Sequence, residues 1–200
     1  MSAVAWSAYD EGYLRAYQWA GALAGGAAMP REATATPLGP GEVAHAHFAP
    51  VGVAGYFGED RPYRPGFLLV GGPVGLALTG AASLARNAAK KAESRRAAIP
   101  RWHSLGGADL VVTSQRLVLT GNGQAESFWY AETGPLQLVP GNGGIPGVQF
   151  QPAGAPALRV EFPWAPMLFV FVHHLVDGRP PAVPLPAGLL ERAKAQGRYG

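Results

Sequence analysis

Residues 110–121 read LVVTSQRLVLTG, and no other stretch limits the fold so strongly. Two short runs rich in leucine and β-branched residues flank Ser114-Gln115-Arg116, the pattern of two strands joined by a tight turn. The chain after it keeps the same rhythm. Residues 121–123 (Gly-Asn-Gly) form a strong turn signal, and strands are expected at 126–130, 136–139, 148–151 and 157–162, separated by glycine and proline. In the last of these, Leu158, Val160 and Phe162 alternate with Arg159 and Glu161, as in a strand with one buried and one wet face. About six short strands from Leu110 onward predict an antiparallel barrel or sandwich.

A helix closes this half. Met167, Leu168, Phe171, Val172 and Leu175 recur at three-four spacing from Trp164, with Asp177-Gly178 as the stop. Its other side carries Phe169, Val170, His173 and Val176, so it is apolar almost all round and needs a second surface to cover it. Residues 179–186 are proline-rich and extended, and 189–196 form a short, weak helix.

The first half is less regular. Ser7 and Asp10 begin a helix over 8–23, whose tyrosines at 9, 13 and 17, with Leu14 alongside, make one stripe expected to dock on the body, with Trp19 off it. A linker follows to Gly41. Residues 42–48 then read as a strand that places His45 and His47 on one face, a spacing from which two imidazoles could share a metal ion. Glu42 falls on the opposite face. Residues 52–66 read as an irregular loop.

Residues 65–85 carry no charge over about twenty positions, the length of a membrane-spanning helix. Glycines at 71, 72, 75 and 80 and Pro73 favour instead a buried helix packing through small residues, with a membrane-inserted hairpin as the competing reading. A phosphate-binding loop lacks both the GxGxxG spacing and the lysine-hydroxyl pair. Arg86, Lys90, Lys91, Arg95 and Arg96 follow and ring the helix instead of striping it. A ring suits a solvated helix end or a contact with an anionic membrane surface, and it argues against a nucleic-acid groove binder.

Composition narrows the function classes. With no cysteine, disulfides, thiolate metal sites and cysteine nucleophiles are excluded. The pI of 9.4 reflects a formal charge of only +3, because charged residues are scarce. The first residues lack the basic start and apolar run of a signal peptide, so a cytoplasmic location, with the inner face of the cell membrane as a further option, is the expectation. No GxSxG is present, and no cofactor is expected.

The run of short antiparallel strands closed by one helix, with Thr113, a two-residue gap, Arg116-Leu117 and a hydrophobic strand, resembles bacterial pleckstrin-homology-like (PH-like) and GRAM-like domains. The order FGED loop (57–60), alanine-glycine helix ending in Asn87 and basic residues, proline-tryptophan region and VVTSQRLVL is most similar to an uncharacterised actinobacterial group. The resemblance covers about residues 42–178. It implies a partly open antiparallel β-barrel capped by a C-terminal helix, with a long loop and helical insertion (52–100) after the first strand; with the N-terminal helix and linker (1–41) and the tail at 179–200 read from the residues themselves, the expected fold is α+β. The resemblance also implies a recognition module for lipids or protein segments, not an enzyme, although the loops here are nearly free of lysine and arginine. The expected function is a non-enzymatic binding or assembly module contacting a protein partner, itself or the inner membrane surface. The expected surface comprises Phe67, Leu68, Leu69, Leu76, Leu78, Phe169, Val170 and Val176, with Arg86, Lys90, Lys91, Arg95 and Arg96 as the anionic-surface contact. The alternative is a small metal-dependent enzyme using His45 and His47.

Overall fold

A computed structural model describes residues 5–58, 99–140 and 144–199. The fold is α+β. Seven strands make one antiparallel sheet: β1 (Ala44–Phe57), β2 (Arg101–Thr113), β3 (Arg116–Gly121), β4 (Gln124–Trp129), β5 (Gln137–Pro140), β6 (Pro146–Phe150) and β7 (Leu158–Glu161). Three helices accompany it: α1 (Ala8–Ala24), α2 (Ala165–Asp177) and α3 (Leu189–Ala195).

The strand order is β4-β3-β2-β1-β7-β6-β5. The first strand is therefore central, paired to β2 on one side and to β7 on the other. This overturns the expected loop at 52–66 in its first part, since residues 52–57 continue β1. Glycine there serves close packing: a Cβ at Gly52 would sit 3.3 Å from Glu161 O, and one at Gly55 would sit 3.0 Å from the Phe57 ring. β1 absorbs three register irregularities against β2 and holds a cis Ala49-Pro50 bond. The insertion accordingly starts after Phe57 and ends before Arg101.

The hairpins follow their turn chemistry. Asn122 and Gly123 have φ of 51° and 76°, as a two-residue turn matching strand twist requires. Gly178, at φ 70°, closes α2 by donating its N–H to His174 O at 3.0 Å.

One core joins the inner face of the sheet to α2. Leu110, Val112, Leu117, Leu119, Phe150, Leu158 and Val160 from the strands belong to the same buried cluster as Leu168, Val170, Phe171 and Val172. Fully burying a side chain such as Leu168 or Phe171 contributes about 1.5–3 kcal/mol.

α1 forms where expected, and Ser7 with Asp10 makes the reciprocal capping box. Its docking face is not the tyrosine stripe, for Tyr9 and Tyr17 are 36% and 37% exposed. Leu14, expected beside that stripe, is buried together with Gly12, Ala16 and Leu23, and Trp19 meets Phe171 edge-on at 5.4 Å between centroids. The small residues Gly12 and Ala16 let the helix approach α2, which bulky tyrosines would prevent. α3 is tied back to α1 by Arg192 and Asp10, 2.5 Å apart, and buries Leu189 and Ala193. No described helix is long and apolar enough to cross a membrane.

Candidate functional site

Two constellations of polar side chains stand out, and the first is structural. At the turn between β2 and β3 the Thr113 hydroxyl accepts from the Gln115 and Arg116 N–H groups, at 3.2 and 3.0 Å, and donates to Glu42 Oε1 at 2.6 Å. Arg116 grips the same carboxylate with two bonds, Nε to Oε1 at 2.8 Å and Nη2 to Oε2 at 3.0 Å. Its remaining donors reach Ser127 Oγ at 2.8 Å and Pro37 O at 3.0 Å, and Trp129 lies against its guanidinium at 4.7 Å. Tyr130 adds a bond from its hydroxyl to Thr113 O at 2.9 Å, and burial, helped by the Glu42 charge, pushes that phenol up.

Glu42 and Arg116 are 74 positions apart, so strand alternation could not pair them. Reading Arg116 as a turn residue missed its main role: it locks the linker before β1 onto the hairpin. Burial of Glu42 would raise its pKa, but bonds from Arg116, the Gly39 N–H and Thr113, with the Arg116 charge, outweigh this and hold it at about 2. The stability linked to this depression is therefore complete above the ordinary value of 4.5 and is lost as pH falls through about 2. Urea midpoints taken from pH 6 to pH 2 are expected to fall for the native chain, by a free energy on the order of 3 kcal/mol. Glu42→Gln, less stable throughout, is expected to show a flatter profile.

The second constellation lines a cleft of about 250 Å³ between the C-terminal end of α2 and the connection from β4 to β5. Pro135, Leu136, Val172 and Val176 make its apolar wall, and Tyr130, Thr133, His173 and Asp177 its polar part. His173 Nδ1 lies 2.8 Å from Asp177 Oδ2, one helical turn away, and Nε2 lies 3.0 Å from Leu136 O. A histidine oriented by an aspartate is the usual start of a general-base site. Here the second nitrogen is engaged by a backbone carbonyl, and the Thr133 hydroxyl donates to Trp129 O at 2.8 Å. The imidazole is thus a clasp that fixes the cleft wall to α2. β5 borders the cleft region and ends the sheet order, paired only with β6 among the described strands.

The expected surface on α2 is largely inside the protein. Val170 is 0% exposed, and Phe169 packs against the core and edge-on to His173 at 4.5 Å. The expected second cover for this helix was the glycine-alanine segment of the same chain or another subunit, but the sheet and α1 cover most of it. Phe169 is partly buried, and Val176 is the exposed one of the three, at 53%, on the rim of the cleft. Phe67, Leu68, Leu69, Leu76, Leu78 and the cations Arg86, Lys90, Lys91, Arg95 and Arg96 lie outside the described residues, as does the 65–85 segment.

The two strand histidines differ in setting. His45 is buried, with Nδ1 2.6 Å from Pro30 O, whereas His47 is half-exposed with Nε2 3.8 Å from Asp109 Oδ2. Among the described residues no group of three or more histidine, aspartate or glutamate side chains is placed to hold a metal ion.

The cleft was only half legible in the sequence. The spacing of His173 and Asp177 is a visible signal, but Tyr130 opens a three-residue helical turn, Tyr130–Glu132, where it was expected to end a strand, and Thr133 and Pro135 follow that turn. No family model, curated protein or solved structure matches this chain.

Proposed function

We propose that the chain is a non-enzymatic, PH-like recognition module that binds an extended segment of a protein partner in the cleft between α2 and the β4–β5 connection. The observation that carries this reading is the apolar cleft beside β5, a sheet edge with no second partner among the described strands, with an exposed valine on its rim. Recognition by strand addition divides the work: main-chain bonds to the edge supply affinity, and a pocket for one side chain supplies specificity. The cleft wall is suited to an aliphatic or aromatic anchor. The strand sequence, with α2 closing the core after β7, supports the PH-like assignment and the description of α2 as its C-terminal cap.

Selection of ten-residue peptides from a random library on the full chain is expected to enrich sequences with a hydrophobic anchor. Val176→Asp, a change at an exposed position, is expected to leave the fold intact and to weaken the enriched peptides at least about tenfold, since it sets a charge at the rim of an apolar pocket. Enriched peptides that bind Val176→Asp as well as the native chain would remove the cleft from the account.

A further inference from the structure

The region next to the cleft carries a cation, Arg179. A second hollow, of about 390 Å³, is lined by His173, Asp177, Arg179, Pro180, Pro181 and Ala182, and so meets the cleft at His173 and Asp177. Of its three ionisable side chains, Asp177 and His173 are occupied with each other at 2.8 Å. Arg179 is not.

That makes it unusual among the described arginines. Arg15, Arg116, Arg159, Arg192 and Arg198 each pair with a carboxylate, and Arg101 also has a partner. Among the described arginines only Arg31 and Arg179 make no ion pair, hydrogen bond or ring contact, and Arg179 borders the hollow beside the cleft. Its backbone is constrained on both sides, by the left-handed Gly178 that ends α2 and by Pro180-Pro181, whose φ angles are fixed. An exposed cation on a constrained stretch of chain, beside an apolar pocket, is arranged to meet an anion carried by the same ligand that fills the pocket.

We propose that the bound protein segment carries an acidic side chain flanking its hydrophobic anchor, and that this carboxylate pairs with Arg179. The inference rests on the cleft reading above, and the following experiment separates the two. Two pools of ten-residue peptides share a central leucine and differ in glutamate or lysine at the flanking positions. Each is titrated by fluorescence polarisation against the native chain, Arg179→Glu and Val176→Asp.

The native chain is expected to favour the glutamate pool by roughly tenfold at low salt, with the preference shrinking as salt is raised. Arg179→Glu is expected to reverse it in favour of lysine, a rescue that a merely structural role of Arg179 would not produce. If Arg179→Glu leaves the discrimination unchanged while Val176→Asp still abolishes binding, the charge proposal is wrong and the cleft reading survives. If neither substitution matters, both are wrong. Arg179-dependent retention on phosphatidylserine-containing vesicles, without discrimination between the pools, would overturn the proposal in favour of a lipid headgroup.

Discussion

Arg116→Leu is expected to lower the melting temperature by roughly 10 °C, the larger of the two stability effects that the structure implies. The Glu42 side chain is 0% exposed and that of Arg116 15%, so removing the guanidinium strands a carboxylate with no water to solvate it. Breaking a buried pair from one side typically costs about 3–5 kcal/mol, more than the pair itself contributes. Two consequences distinguish this from loss of ordinary packing. Glu42→Gln on the Arg116→Leu background should recover part of the loss, because it neutralises the stranded charge. Arg116→Lys should recover little, since an ammonium cannot reach Glu42, Ser127 and Pro37 O together. Thermal melts of the four proteins at pH 7 measure all of this. Equal melting temperatures for native and Arg116→Leu chains would contradict the arrangement.

Gly12→Ala should be nearly as damaging although it adds one methyl group. The new Cβ would fall 1.9 Å from Pro163 O and 2.9 Å from Pro163 C, and a backbone carbonyl between β7 and α2 cannot step aside. Overpacking of this kind costs about 1–3 kcal/mol or more, and α1 would be pushed off α2. Hydrogen exchange is the suitable readout: amides of α1 should lose protection while those of β2 and β3 keep theirs. Gly21→Ala in the same helix is the control. A Cβ there meets nothing within 4 Å, so alanine should be neutral or stabilising by up to about 1 kcal/mol. Comparable protection of α1 in Gly12→Ala and Gly21→Ala would mean that α1 does not dock through this face.

The contrast between these positions explains what could be read in advance. Local rules worked where structure is decided locally: the hairpin at Thr113 and Arg116, the turn at Asn122-Gly123, the Ser7 and Asp10 capping box and the stop at Gly178 all lie where their residues indicate. They failed where a distant partner decides. Residues 52–57 look like loop because of their glycines, yet those glycines are what lets β1 lie between β2 and β7. The tyrosines of α1 look like a docking stripe, yet Gly12 and Ala16 dock, because the neighbouring backbone leaves room only for small side chains. The same limit applies to the site. His173 and Asp177 are neighbours on one helix and could be paired by spacing alone, whereas Leu136 and Tyr130 join them only after the three strands between have been threaded.

The central claim is that the cleft at the end of α2 is where a partner segment sits, and backbone amide shifts on titration with an enriched peptide test it most directly. Progressive changes confined to residues 130–138 and 172–179, and lost in Val176→Asp, are expected. Changes centred on His47 and Asp109, or spread evenly over the sheet, would contradict it.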